Sequence, residues 1–285
     1  MPSMRDIQRR KVSVESTEQI TKAMKLVATV KLQKAKQRAE EAKPYFDKMY
    51  ETVSSILART GDVEHKYLKP SESKKKAVIV ITGNRGLAGG YNNNITNLLT
   101  KSEDFKSEDV IVYNLGKKGK ETLSRFGYDI REDYSEVINN PMYRDAMEIS
   151  DRVLEDFENG EFGELYIAYT VFKNTVSHIP TMLKILPVSK EDSLSEEDRL
   201  ALMNYEPDED DALSLIVPKY VTSIIYGGIL ESVASENGAR MSAMDSATSN
   251  ADEMIKDLGL LYNRARQSSI TQELTEIIAG AEAIS

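Results

Sequence analysis

The stretch ITKAMKLVATVKLQKAKQR, residues 20–38, contains no glycine or proline and repeats apolar residues at spacings of three and four. Such spacing is typical of an amphipathic α-helix. The pattern covers residues 3–58, and a second one covers residues 209–284. At about 1.5 Å per residue, these helices would be much longer than a domain of this size is wide. Their apolar stripes must therefore pack against each other, as an antiparallel coiled coil, or be buried in a larger assembly.

Both helices carry further signals. In the first, an apolar seam for a partner helix is predicted at Ile20, Ala23, Met24, Val27 and Val30. Pro44 predicts a kink, after which the helix resumes. In the second, the 67 residues after Pro218 contain no proline, and its apolar stripe reaches the last residues of the chain. A free helix tip would normally be polar and frayed, so we expect another protein to enclose this one.

The middle of the chain changes period. Continuous β-branched and aromatic runs at 77–82, 110–115 and 165–172 predict strands, and the helical stretches between them predict a parallel sheet with crossover helices. Thr181–Val188, bounded by Pro180 and Pro187, predicts an edge strand. The fold class is therefore α/β: a long antiparallel coiled coil of the N- and C-terminal helices plus a central Rossmann-like domain with a mainly parallel sheet. The predicted domains are 1–60, 74–190 and 208–285.

Composition restricts the function. The chain has no cysteine, which excludes disulfides and thiolate metal sites, and its start lacks the apolar region of a signal peptide. We therefore expect no direct membrane span. The formal charge is -9, yet residues 1–43 carry 11 basic and 5 acidic side chains. This basic helix has three interpretations: a solvated face, an acidic protein partner, or nucleic acid, which the overall charge and the lack of nearby aromatic residues disfavour.

Catalytic signals are weak. The glycine-rich turn at residues 83–90 (GNRGLAGG) follows the first strand, but it is not followed by the Lys-Ser or Lys-Thr of a phosphate-binding loop. His65 and His178 are the only histidines and have no ligand spacing. The acidic run at residues 208–211 is better explained as a cap for the second long helix than as a cation site. We therefore expect no catalytic residue, no metal and no cofactor.

Four segments in order resemble one family, the gamma subunits of F-type ATP synthases. They are residues 19–28 (QITKAMKLVA), 85–89 (RGLAG), 262–267 (YNRARQ) and 270–277 (ITQELTEI). The resemblance covers the whole chain. The absence of a transit peptide and of a cysteine-bearing insertion is similar to the bacterial members.

The resemblance implies a non-catalytic central rotor stalk that couples hydrogen ion transport through a membrane ring to ATP synthesis or hydrolysis. It implies three alpha and three beta subunits around the coiled coil, an epsilon subunit on the central domain and a membrane c-ring at the foot, on the cytoplasmic face of the cell membrane. The partner-contact residues that it implies lie at both ends of the chain and in the polar loop: Lys22, Met24, Lys25, Arg266, Gln267, Thr271, Glu273, Ile277, Ile284, Tyr205, Glu206 and Asp208.

Two positions depart from the family pattern, and one alternative function stays open. Asn84 stands where an acid is usual, which puts a charge contact of the glycine turn in doubt. Gly238 stands where alanine is common, which predicts a looser helix near Arg240 and Met241. The alternative is a Rossmann-like nucleotide-binding enzyme with helical oligomerisation arms, which tight ATP binding by the isolated chain would favour.

Overall fold

The computed structural model describes residues 3–59, 65–69, 71, 73–175, 177–188 and 209–282. The chain divides into two compact units. The coiled-coil unit comprises residues 1–28 and 241–285, and the α/β unit comprises residues 29–240. The elements in chain order are α1 (Met4–Arg59), β1 (Lys76–Ile81), α2 (Tyr91–Thr100), β2 (Val110–Leu115), α3 (Lys117–Arg125), β3 (Asp129–Asp133), α4 (Tyr143–Glu158), β4 (Glu164–Phe172), β5 (His178–Leu186) and α5 (Glu209–Glu282).

In the coiled-coil unit, α1 and α5 pair in opposite directions. The Thr21 and Thr248 hydroxyls are hydrogen-bonded at 2.7 Å, and the Lys25 ammonium pairs with the Asp245 carboxylate. Because the partner number on α5 falls as the number on α1 rises, the helices are antiparallel. Both long helices are present as predicted, and α1 continues through Pro44 as one helix.

The buried face of this helix pair follows a seven-residue repeat, as in a coiled coil. On α5 the repeat falls on buried or half-buried positions, which are Met244, Thr248, Ala251, Ile255, Leu258, Tyr262, Ala265 and Ser269. On α1 it runs through Ile7, Thr21 and Ala28. The predicted α1 seam is wrong, because Ile20 and Val27 are both 58% exposed. Threonine and alanine occupy the true seam here, whereas the larger apolar residues lie on the neighbouring face.

In the α/β unit, five strands form one sheet in the order β3-β2-β1-β4-β5. The strands β1 to β4 are mutually parallel, and β5 runs antiparallel to β4. The predicted mainly parallel sheet is therefore confirmed. Both central strands, β1 and β2, are buried along almost their whole length, which explains their continuous apolar sequences.

The sheet is covered on both faces. On one face, α1, α4 and α5 contribute Val53, Ile149 and Ile225 to a large buried cluster. On the other face, α2 and α3 contribute Ile95, Leu99 and Leu123 to a smaller one. Each Å² of apolar surface buried in these clusters contributes about 25 cal/mol to the stability of the α/β unit.

Three elements differ from the sequence-based prediction. The helix α2, which has three consecutive asparagines, and the strand β3, with the sequence DIRED, were not predicted. The edge strand begins at His178 rather than Thr181 and contains Pro180. Proline is tolerated there because β5 is a sheet edge and one side of its backbone needs no partner.

Candidate subunit-contact surfaces

The glycine-rich turn after β1 is closed by its own hydrogen bonds. The Gly83 N–H donates to Asn92 Oδ1 at 2.8 Å, and Asn92 Nδ2 donates to the Arg85 carbonyl oxygen at 3.2 Å. A Cβ atom added to Gly83 would lie 2.6 Å from Glu236 Oε1, so a carboxylate packs against the turn. A nucleotide phosphate would meet this negative charge at the place where a phosphate-binding loop offers N–H groups. The turn is therefore a structural connection.

Asn84 joins three segments of the α/β unit. Its Oδ1 accepts the backbone N–H of Lys117, the first residue of α3, at 2.9 Å, and its Nδ2 donates to the Ser135 carbonyl oxygen at 2.8 Å. An acid at this position could accept the first bond but could not donate the second. The departure from the family pattern thus exchanges a charge for one additional structural hydrogen bond.

Gly238 permits a close approach between α5 and the β4–β5 hairpin. A Cβ atom here would lie 2.8 Å from His178 Cε1 and 3.2 Å from Phe172 Cε2, closer than normal contact. The assigned helix of α5 continues through this point to Glu282. Gly238 therefore serves packing, and the predicted loosening near Arg240 and Met241 does not interrupt the helix.

The two histidines lie in separate structural settings. His65 Nε2 is 3.0 Å from Ser214 Oγ, and His178 Nε2 is 3.2 Å from the Thr175 carbonyl oxygen. Burial lowers the pKa of His178. Within the described part of the chain, no group of three or more His, Asp or Glu side chains could hold a metal ion.

The basic contact candidates on α1 have partners within the chain. Lys22 is 56% exposed and pairs with Glu18 on the same helix. Lys25 pairs across the helix pair with Asp245 on α5, and Met24 between the lysines is half-buried. Exposed ion pairs of this kind contribute only about 0 to 1 kcal/mol to stability. Both lysines could therefore exchange these partners for an external carboxylate at small cost.

The end of α5 continues beyond the last position of the helix seam. The seam residues of α5 end at Ser269, and every residue from Ile270 to Ala281 is exposed. Four large apolar side chains lie on this α5 tail, residues 270–281: Ile270, Leu274, Ile277 and Ile278, which are 49–68% exposed. A helix that exposes this much apolar surface is typical of a segment that another protein covers.

The other predicted contact residues divide into two groups. Arg266, Gln267, Thr271 and Glu273 are exposed on α5, beside or within the tail. Ile284, Tyr205, Glu206 and Asp208 lie outside the described residues. The structure thus brings the C-terminal candidates onto one stretch of helix, and Lys22, Met24 and Lys25 onto one stretch of α1.

One helix has the length and hydropathy of a membrane span. An 18-residue window within Ala212–Ala281 of α5 has a mean hydropathy of 1.5, and 56% of it is buried inside the protein. That burial is what the core helix of a folded domain requires.

Residues 3–284 match the family model described as ATP synthase. Over the full length of both proteins, the chain is 62% identical to an ATP synthase gamma chain of Lachnoclostridium phytofermentans. It is 42% identical to the sodium ion specific ATP synthase gamma chain of Acetobacterium woodii, with 99% of each chain covered. A chain of the Euglena gracilis mitochondrial ATP synthase shares the fold with a TM-score of 0.70 at 19% identity, covering 99% of this chain and 94% of that one.

Proposed function

The chain belongs to the gamma-chain family of ATP synthases, the non-catalytic stalk subunits of that complex, and from this premise we propose how its surfaces serve as the central rotor. The rotor couples ion flow through the membrane ring to ATP synthesis or hydrolysis at the beta subunits. The proposal rests above all on the α5 tail, whose four large apolar side chains are 49–68% exposed.

A rotor works by giving equivalent sites different energies. The α1–α5 pair presents different side chains around its circumference, so three beta subunits around it would each meet a different face. A shift of one site from 1:99 to 99:1 between two conformations requires a differential of about 5.5 kcal/mol. Close packing along the seam lets the helix pair transmit that difference through steric contact, because packed interiors compress little. Rotation then exchanges the three energies among the sites.

The individual contacts follow the family. Lys22 and Lys25 contact an acidic loop of a beta subunit, and Met24 between them is a further partner contact. Polar contacts with the surrounding ring involve Arg266, Gln267, Thr271 and Glu273. Residues 277–284, the C-terminal tip, fit an apolar bearing formed by three alpha and three beta subunits.

The remaining partners and the location belong to the same proposal. Residues 1–60 and 208–285 form the shaft, and residues 74–190 form the domain that the epsilon subunit contacts. Tyr205, Glu206 and Asp208 face the membrane c-ring. The chain is part of a complex in the cell membrane, and we place it peripherally on the cytoplasmic face.

The test is a pair of double substitutions in the α5 tail. Leu274→Gln with Ile278→Gln removes apolar surface that the isolated chain leaves exposed, so its folding and circular dichroism should not change. If a bearing covers the tail, recovery of assembled complex or its ATP turnover should fall at least tenfold, since burying two polar amides without partners costs about 1–3 kcal/mol each. The matched control is Gln272→Ala with Glu276→Ala, on another face of the same segment.

Normal assembly and turnover of the Leu274→Gln, Ile278→Gln complex would contradict an enclosed tail. Equal losses in both double variants would show that the segment needs only its helical structure rather than its apolar surface.

A further inference from the structure

In the α/β unit, the helix α5 lies very close to the hairpin formed by β4 and β5. A Cβ atom added to Gly228 would lie 2.9 Å from Ile167 Cδ1, and one added to Gly238 would lie 2.8 Å from His178 Cε1. A side chain at either position would therefore displace its neighbour. Between these glycines, the helix and strand backbones are near enough for short side chains to join them.

The end of β4 extends beyond its pairing with β1. β1 stops pairing with β4 at Val80, opposite Ala168, whereas β4 continues to Phe172. On the other side of β4, Thr170 lies opposite Pro180, which has no N–H to donate. Thr170 is only 2% exposed, so its backbone groups need partners within the protein.

Two serines of α5 provide these partners. The Thr170 N–H donates to Ser232 Oγ at 3.2 Å, and Ser235 Oγ donates to the Thr170 carbonyl oxygen at 3.1 Å. The serines are three residues apart and therefore lie on the same face of α5, where both are buried. Both backbone groups of one strand residue are thus hydrogen-bonded to one helix. We call this arrangement of Ser232 and Ser235 on Thr170 the serine clamp.

The serine clamp restrains α5 in a way that apolar packing does not. Apolar contact is non-directional, and packed helices can slide by small shear movements. Hydrogen bonds weaken steeply when their geometry is distorted, and buried groups that lose them have no water as a replacement. A sliding of α5 along the sheet, or a rotation of α5 about its own axis, would break both bonds of the clamp.

We propose that the serine clamp is the joint through which torque passes between the sheet and α5, with Ser232 and Ser235 as positioning residues for rotary coupling. This inference rests on the rotor function proposed above. α5 runs as one helix from Glu209 to Glu282, so a force applied to it at the clamp is carried along the same helix. Without the clamp, the sheet would turn slightly before α5 followed, and part of each rotary step would be lost.

The first test is hydrogen exchange of the backbone amides in the purified full-length chain. Ser232→Ala should accelerate the exchange of the Thr170 amide about tenfold, because it removes the acceptor of that N–H. The matched control is Thr222→Val, which removes a buried α5 hydroxyl that bonds to the Pro218 carbonyl oxygen of its own helix. This control should leave exchange at Thr170 unchanged. Equal protection of Thr170 in the parent and in Ser232→Ala would overturn the clamp.

The second test measures torsional stiffness in the assembled complex. The complex is held through its beta subunits, a probe is attached to Lys101→Cys in the α/β unit, and the angular fluctuations of the probe are recorded during the pauses at limiting ATP. The variance of the angle is inversely proportional to the stiffness of the path between probe and anchor. Ser232→Ala with Ser235→Ala should raise this variance about twofold, because both directional bonds of the joint are lost. Thr222→Val should leave it unchanged.

If the double variant does not fold, as circular dichroism shows, the two single variants are measured instead and should each raise the variance by a smaller amount. Unchanged variance in the serine variants would overturn the role in torque transmission. An equal rise with Thr222→Val would overturn it too, because the loss of any buried α5 hydroxyl would then be sufficient. A parent complex whose probe does not rotate would refute the rotor function itself, whereas the exchange result at Thr170 does not depend on assembly of the complex.

Discussion

Thr82 and Gly116 fix the point at which the two central strands end. The Thr82 hydroxyl lies 3.2 Å from the Leu115 carbonyl oxygen and 3.1 Å from that of Gly116, and it accepts the Gly119 N–H at 2.9 Å. Gly116 has a φ of +104°, and a Cβ atom there would lie 2.1 Å from the Thr82 carbonyl oxygen. Only glycine can occupy this position without displacing a strand end.

This close approach gives a stability prediction. Gly116→Ala should lower the free energy of unfolding by about 3 kcal/mol or more, because it combines a backbone clash with an unfavourable φ. Gly160→Ala is the matched control: its φ is +75° but no atom lies within 4 Å of the added Cβ, so we expect a cost of only about 1–2 kcal/mol. Urea denaturation followed by tyrosine fluorescence measures both. Equal losses would show that the clash with Thr82 is relieved without cost.

Asp133 gives a pH prediction at the same scale. Burial opposes its ionisation, but hydrogen bonds from Lys120, Ser135 and Asn114 outweigh that effect and lower its pKa to about 2. A depressed pKa stabilises the folded state above the unfolded value of about 4, and that contribution is lost as the pH falls towards 2. Asp133→Asn should therefore be less stable than the parent at pH 7, with the difference shrinking between pH 4 and pH 2. A difference independent of pH would show that the charge of Asp133 is not involved.

Among the secondary-structure elements, the helix seam shows why apolar content alone is a poor guide. Leu258 and Leu260 are two residues apart on α5, yet Leu258 is 8% exposed and Leu260 is 69% exposed. Only Leu258 lies on the seven-residue repeat. The contribution of a leucine in this helix to stability therefore depends on its position in the seven-residue repeat.

The two leucines provide a matched experiment. Leu258→Ala should lower local stability by about 2–4 kcal/mol, because it leaves a cavity in the seam. Leu260→Ala should change it by less than about 0.5 kcal/mol. Hydrogen exchange of the α5 amides between residues 244 and 269 reports both values. Comparable effects of the two substitutions would place the seam elsewhere on the helix.

The elements differ in how well they could be predicted from their sequences. Strands were predicted at residues 77–82, 110–115 and 165–172 because buried parallel strands are covered on both faces and have nearly continuous apolar sequences. The polar DIRED strand lies at the sheet edge, where burial does not dictate composition, and it was missed. The α1 seam was misplaced because Thr21 and Ala28 are buried while larger apolar neighbours are exposed. Tertiary packing, rather than local sequence, therefore determines the position of β3 and of the α1 seam.

For the whole molecule, the function was identifiable because its motifs lie along the entire chain and the family match covers residues 3–284. The contact surfaces could be predicted from the sequence only in part. The apolar stripe of α5 continues past Ser269, where the seam ends, and the sequence therefore predicted that another protein encloses the tip of this helix. The cavity that Arg38, Arg85 and Arg240 line together was not predicted, because these residues come from separate elements that the fold brings together.

The central claim is that this chain turns inside its complex while ATP is hydrolysed. Because the chain has no cysteine, Lys101→Cys on an exposed position would provide a single labelling site in an otherwise cysteine-free complex. The complex is anchored through its beta subunits, a visible probe is attached to this cysteine, and its orientation is followed as ATP is added. The rotor assignment predicts rotation in one direction, and the proposed arrangement with three beta subunits around the shaft predicts three equivalent pauses per turn. A probe that stays fixed while the same complexes hydrolyse ATP at their full rate would contradict it.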